Sequence, residues 1–348
     1  MTHTWTTSSS IPQMTQFLRT RSKVVVLTHA KPDGDAVGSS TAVVRALNLA
    51  AGREVATAWH AGPMPPWYGA MMGDTPGLVL PREGPPADAE ADAIVVVDTG
   101  SWPQLEHVRS WLSWQREQTL VLDHHVHGDA DVGDQRIIDT SAASAAQVVA
   151  PLCVSLLGVK DVASLPQPIA DALYLGVASD TGWFRHSNVS PSVFDFAAAL
   201  LRAGARHVPL HQLTEQQEGE SRLRLMARAL ESLRLLEGGT LAVMSLTLED
   251  FAQTNAQPGE SGGFVDLAMQ IAKVRVSAVL TEVESREGGR LTKISLRSKE
   301  GDNAVDVNRL TRALGGGGHV RAAGARVAMT LAQTRDEIAR LVREQEPQ

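Results

Sequence analysis

Residues 121–129 read VLDHHVHGD and place Asp123, His124 and His125 directly after a short apolar run. A carboxylate or imidazole at the end of a buried strand is costly unless it is paired, hydrogen-bonded or bound to a metal. Three other segments repeat the pattern. THAKPDGDAVGSS delivers His29, Asp33 and Asp35, VVVDTG delivers Asp98, and YLGVASDTGWFRH delivers Asp180. Each has an ordinary structural reading, Asp35 as a helix N-cap and Asp98 and Asp180 as turn or capping residues. Brought together without cations, however, these groups would set like charges against one another. Two divalent ions would remove that repulsion. His29, Asp33, Asp35, Asp98, His124 and Asp180 offer nitrogen and oxygen donors without a thiolate, a set that suits manganese, with magnesium or cobalt as alternatives. Two such ions roughly 3.5–4 Å apart can polarise a phosphoryl group, lower the pKa of a bridging water and stabilise an in-line displacement. In this reading His124 is a ligand and His125 faces the substrate.

The elements that must position these groups are readable from periodicity. KVVVLT (23–28), AIVVVD (93–98) and TLVLD (119–123) are continuous apolar runs separated by helical patterns, as expected for a parallel sheet covered on both faces. Ligands of such sheets bind at the carboxyl ends of the strands, where these side chains fall. DAVGSSTAVVRALNLAAG predicts a helix ending at Gly52, and SAASAAQVVAPLCVSLLG one ending at Gly158. The Gly/Pro-rich stretch 61–88 reads as a loop within this domain. From about residue 209 the pattern changes. SRLRLMARALESLRLLEGG reads as a charged amphipathic helix, followed by the strand candidates TLAVMSLT, VRVSAVLTEVE and LTKISLRS. Strands arriving in groups indicate an α+β unit. The expected architecture is an α/β, parallel-sheet N-terminal domain over residues 1–208, a linker over 209–222 and a smaller α+β domain over 223–348.

Composition narrows the function. With 43% hydrophobic and 20% charged residues, the 348-residue chain can bury a sizeable core, and its length favours two domains. A net charge of −7 argues against gripping long duplex nucleic acid through many phosphate contacts, while a short anionic substrate held by metal remains compatible. The single cysteine, Cys153, lies in an apolar run and reads as a buried core thiol, so a reducing, cytoplasmic location is expected. No membrane span or signal peptide is expected. Trp102, Trp111 and Trp114 read as packing or surface residues, and His107, His127 and His207 lie outside any ligand motif. Arg185 and His186, just after Asp180, are secondary candidates for lining a cleft.

Taken together, HAKPDGDAVGS, VVVDT, DHH and ASDTGWF resemble the four motifs of the DHH phosphoesterase family, and more narrowly its nano-RNase and pAp phosphatase branch. The resemblance implies that His29, Asp33 and Asp98 hold one metal and that Asp35, Asp98, His124 and Asp180 hold the other. It further implies that His125 contacts the scissile phosphate and aids the leaving oxygen, with Asp123 orienting a histidine. GGGGHVRAAGA at 315–325 is similar to the family's DHH-associated substrate-binding domain. Consecutive glycines leave backbone N–H groups accessible to phosphate. The resemblance thus implies substrate contacts from Arg297, Ser298, Gly317, Gly318, His319 and Arg321.

The implied activity is a two-metal phosphodiesterase that degrades very short oligonucleotides to nucleoside 5′-monophosphates, together with phosphatase activity on 3′-phosphoadenosine 5′-phosphate (pAp). Family alternatives are a cyclic or linear dinucleotide phosphodiesterase and a RecJ-like single-strand exonuclease. The chain's acidity and short length disfavour the latter. A non-catalytic nucleotide-binding module would be expected to lack ligands that are present here. The resemblance also makes a homodimer an expectation.

Overall fold

The computed structural model describes residues 4–285, 288–301 and 304–345. The chain divides into two units, Met1–Gln217 and Glu218–Gln348. In the first, the apolar runs become β1 (Val24–Leu27), β2 (Ala56–Ala61), β3 (Gly77–Leu80), β4 (Ala93–Val97), β5 (Thr119–Asp123) and β6 (Gln135–Ile138). They form one parallel sheet in the order β3-β2-β1-β4-β5-β6. The order reverses between β1 and β4, and that switch point opens a crevice beyond the strands' carboxyl ends. Leu27 pairs with Val96, and Val97 with Leu122, so His29, Asp98 and Asp123 emerge at the same sheet edge.

The helices of this unit are α1 (Ile11–Leu18), α2 (Gly34–Ala51), α3 (Tyr68–Met72), α4 (Arg109–Leu112), α5 (Ala145–Leu157), α6 (Gln167–Asp180), α7 (Pro191–Arg202) and α8 (His207–Glu215). Successive strand residues point to opposite faces. Val24, Val26, Val95 and Leu122 pack beneath α2, α5 and α6, whereas Val25, Leu27, Val96 and Val121 pack against Leu105, Val108 and Leu112. Gly52 and Gly158 end α2 and α5 in the left-handed conformation, at φ 64° and 65°. Cys153 is fully buried, and burial pushes its thiol up to about 12, as fits a core residue.

Two sequence expectations are corrected. The stretch 61–88 is more than a loop, since it contains α3 and β3. β3 is an edge strand paired only with β2 and exposed along much of its length, so its composition lacks the apolar density of the central strands. The helix expected over 221–239 stops at Glu231 as α9 (Glu220–Glu231), and Arg234–Leu236 forms β7, antiparallel to β8 (Leu241–Leu246). Leucines in a three-residue edge strand continue the helical spacing closely enough to hide the change of state.

The second unit completes its sheet with β9 (Val276–Glu284), β10 (Arg290–Ser298), β11 (Gly317–His319) and β12 (Ala322–Val327), in the order β11-β12-β10-β9-β8-β7. Only the β8–β9 pair is parallel. α11 (Val307–Ala313) and α12 (Leu331–Gln345) bury Leu310, Ile338 and Val342 against one face. On the other, α9, α10 (Leu248–Thr254) and Phe264 cover Met244 and Val279. Among the described residues, no helix is long and apolar enough to cross a membrane.

Close packing of α2 on α6 sets the depth at which Asp35 and Asp180 meet. Gly38 makes this approach possible: a Cβ there would overlap the Ala172 carbonyl and lie 3.0 Å from the Gly176 nitrogen. Gly38→Ala is therefore expected to destabilise the protein by roughly 1–3 kcal/mol through overpacking, as read by urea unfolding. An unchanged midpoint would show that the two helices separate freely.

Candidate metal centre

His29 follows β1 after Thr28, and its Nδ1–H donates to the Ala30 carbonyl at 3.0 Å. That bond leaves Nε2 facing carboxylates, 3.8 Å from Asp33 Oδ1 and 3.5 Å from Asp98 Oδ2. His124 is held in the same way. Its Nδ1–H donates to the Ala142 carbonyl at 3.3 Å, and Nε2 lies 3.4 Å from Asp98 Oδ1 and 3.3 Å from Asp180 Oδ2. Fixing one imidazole nitrogen on a carbonyl to present the other is how proteins orient histidine ligands.

Asp98 stands between the two histidines. It follows β4 at φ 60°, a left-handed conformation that is uncommon for residues other than glycine but tolerated by aspartate. It is 3% exposed. Asp33, rather than Asp35, is the N-cap of α2, accepting from the Asp35 and Ala36 amides at 3.1 Å each. Asp35 is fully buried one step inside the helix. Its carboxylate accepts from Ser39 Oγ and from the Ala145 and Ala146 amides at the start of α5. It thus supports a different helix from the one its sequence position suggests.

Among the described residues, three sets of donor atoms lie close enough to hold an ion: His29, Asp33 and Asp98; Asp35, Asp98, His124 and Asp180; and Asp98, Asp123, His124 and His125. Asp98 belongs to all three. Several atoms in these sets, Asp98 Oδ1, His124 Nε2 and Asp123 Oδ2, are buried without a hydrogen-bond partner. Buried polar atoms are seldom left so, and here Asp98 Oδ1 and His124 Nε2 lie 3.4 Å apart. The donor set therefore fits divalent cations, and these residues could hold metal.

The charge state of the metal-free site says the same. Burial pushes Asp180 up to about 7, with the Asp98 and Asp33 carboxylates adding to the shift. Burial, then Asp98 and Asp180, hold Asp35 well above the usual carboxylate range. Burial alone would push His29 and His124 down. The surrounding carboxylates overcome it, chiefly Asp33 and Asp98 for His29, held up at about 11, and Asp98, Asp35 and Asp180 for His124, held up at about 9.

Asp123 ends β5 fully buried, and its Oδ1 accepts from the His124 amide at 2.8 Å, the His125 amide at 3.3 Å and His125 Nδ1 at 2.8 Å. His125 is half exposed and lines a cavity of about 340 Å³ beside His29, Asp33, Asp98 and Asp180. Thr99, from the VVVDT motif, also lines it, together with Ser101, Gln104 and His127, which lie outside the four motifs. Arg185 and His186 do not line it; the Arg185 side chain turns back to the Gly182 carbonyl.

A larger cavity, about 670 Å³, belongs to the second unit. Arg297, Gly317 and Gly318 line it, whereas Ser298, His319 and Arg321 do not. Neighbouring strand residues face opposite ways, which puts Arg297 on the cavity side of β10 and buries Ser298. Lys293 and Arg326, which the sequence reading passed over, also line it and oppose each other directly across β10 and β12. The glycine run has a packing cause as well: a Cβ at Gly316 or Gly318 would strike the β12 backbone, while one at Gly317 would meet Asn308 Oδ1 at an ordinary 4.0 Å.

Residues 23–177 match the DHH family, N-terminal domain, and residues 238–345 match the DHHA1 domain. Over 325 residues, 92% of this chain and 90% of the relative, the sequence is 33% identical to the bifunctional oligoribonuclease and PAP phosphatase NrnA of Thermus thermophilus. The chain belongs to the DHH family. It is also 26% identical over 339 residues to the cyclic-di-AMP phosphodiesterase PdeA of Listeria monocytogenes, across 94% of this chain and 48% of that protein. The crystal structure of an exopolyphosphatase-related protein from Bacteroides fragilis shares the fold at TM-score 0.78 and 24% identity, over 96% of this chain and 95% of that one.

In this DHH protein, a metal held through the Nε2 lone pairs of His29 and His124 would have to displace protons, because the surrounding carboxylates hold the two rings up at about 11 and about 9. Affinity for manganese is expected to fall as pH falls. Calorimetric titration of metal-free protein at pH 7, in buffers of different ionisation enthalpy, should report net proton release, from the two histidines and from the raised Asp35 and Asp180 carboxyls. A binding enthalpy independent of buffer would contradict this.

Proposed function

We propose that this chain is a metal-dependent phosphodiesterase that releases nucleoside 5′-monophosphates from very short oligonucleotides and removes the 3′-phosphate of pAp. The observation that carries the reading is Asp98, a buried carboxylate common to adjacent donor sets at the switch point of the sheet. We assign His29, Asp33 and Asp98 to one ion and Asp35, Asp98, His124 and Asp180 to a second, with Asp98 between them and manganese as the metal. Bound ions supply Lewis acidity and offset the charge that gathers on phosphoryl oxygens during an in-line displacement.

The chain's own residues supply the rest. Water adds to phosphorus and gives up a proton to solvent, the bond from phosphorus to the departing oxygen breaks with its electron pair leaving on that oxygen, and that oxygen takes a proton. His125 is the donor in this assignment: Nδ1 is held by Asp123, so Nε2 is its free nitrogen in the cavity. Hydrogen bonding to the Asp123 carboxylate raises His125 above its ordinary value, a shift that favours the protonated ring this step requires. Asp123 therefore acts through His125. Thr99, Ser101 and Gln104 offer hydrogen bonds to a phosphate or sugar in the same cavity. In the second unit, Arg297, Lys293 and Arg326, with the Gly317 and Gly318 backbone, suit recognition of a substrate phosphate. So confined a cationic lining, in a chain of net charge −7, suits short substrates better than long strands.

With manganese, the purified protein is expected to cleave a 5′-phosphorylated dinucleotide and pAp in preference to cyclic di-AMP. His125→Ala should lower kcat on the dinucleotide by roughly 10²-fold or more, the usual range for loss of a general acid. Asp98→Ala should abolish turnover of both substrates. Inertness of the wild-type protein toward dinucleotide and pAp would overturn the reading, and preferential cleavage of cyclic di-AMP would reassign the substrate.

A further inference from the structure

Residues 4–10 precede the segment that matches the DHH family, yet they reach its reactive end. The arm runs along β6, the edge strand of the parallel sheet. The Ser8 amide donates to the Arg136 carbonyl at 2.9 Å, Thr7 Oγ1 donates to the Ile138 carbonyl at 3.0 Å, and the Arg136 amide donates to Ser8 Oγ at 3.0 Å. At its start, Trp5 inserts between two glycines. One is Gly100, two residues after Asp98; the other is Gly128, three residues after His125.

The slot is built for the indole. A Cβ on Gly100 would overlap the Trp5 ring, and one on Gly128 would lie 2.5 Å from it. Both glycines therefore leave out the atoms that would occupy the ring's place. The two loops are already joined, since the Asp129 amide donates to the Gly100 carbonyl at 2.7 Å and Asp129 Oδ2 accepts from the Trp102 amide at 2.7 Å. Trp5 adds the remaining tie, its Nε1–H donating to the His125 carbonyl at 3.0 Å. His125 is thus gripped twice, by Asp123 on its ring and by Trp5 on its backbone. Trp5 does not line the His125 cavity.

We infer that Trp5 is a positioning residue for the phosphoryl-transfer centre, locking the His125 loop to the Asp98 loop from behind; the inference rests on the activity proposed above. An indole that served only to cover apolar surface would not need a slot between two glycines or a hydrogen bond to the backbone of the residue that faces the substrate. Small displacements of a reacting group lower rate more than binding, so the effect belongs in kcat.

The test uses the full chain with Trp5→Ala and Trp5→Phe, the latter keeping a ring in the slot without the N–H. For Trp5→Ala, kcat on the dinucleotide is expected to fall roughly tenfold or more. KM, manganese affinity by calorimetry and the melting midpoint should stay near wild type, and amide hydrogen exchange across residues 124–129 should quicken. Trp5→Phe should restore the exchange protection in part and recover only part of kcat. Unchanged kcat in Trp5→Ala would overturn the inference, as would loss of kcat together with melting midpoint and metal affinity, which would mark Trp5 as a general packing residue. If wild-type protein turns over neither dinucleotide nor pAp, the proposed activity fails on its own. Exchange in residues 124–129 then decides the tie separately: faster exchange in Trp5→Ala upholds it, and unchanged exchange removes it.

Discussion

Asp98 is the constraint on which the rest of the first unit depends. Its carboxylate is buried at the end of β4, in a left-handed backbone conformation, with Asp35 and Asp180 close enough to raise their own proton affinities. Like charges at such depth are tolerable only if protons or metal ions intervene. Without metal, the carboxylates raise the proton affinity of His29 and His124, and burial with Asp98 raises that of Asp35 and Asp180. Everything nearby can be read as holding that charge in place: carbonyls fix the unused nitrogens of both histidines, Asp33 caps α2, and amides at the start of α5 hold Asp35.

The second unit follows a different economy. Its sheet turns one face to helices and leaves part of the other, around Arg297, Lys293 and Arg326, to a cavity. Glycine there serves two ends at once. Gly316 and Gly318 let β12 approach closely, and the open backbone at Gly317 comes with that hairpin. A motif read only as a phosphate cradle is also a packing solution.

Much of this was legible because the determining signals are local. Continuous apolar runs ending in Asp or His gave β1, β4 and β5 and the residues that follow them, and glycine marked the ends of α2 and α5 at Gly52 and Gly158. The remainder depends on tertiary contacts. β3 and β7 are edge strands with little apolar periodicity of their own, so their pairing partners define them. Asp33 and Asp35 compete for one cap in sequence, and only the approach of α5 shows that Asp35 is used elsewhere. Ser298 looks equivalent to Arg297 until strand alternation separates them. Trp5 gave no signal at all, because its slot is assembled from Gly100 and Gly128, distant in sequence and unremarkable in composition.

Whether Asp98 is shared by two metal ions, as proposed, is read most directly by anomalous diffraction at the manganese edge from crystals grown with manganese. Two anomalous peaks roughly 3.5–4 Å apart are expected, one beside His29 and Asp33, the other beside Asp35, His124 and Asp180, with Asp98 between them. A single peak, or peaks that leave Asp98 out, would contradict that sharing.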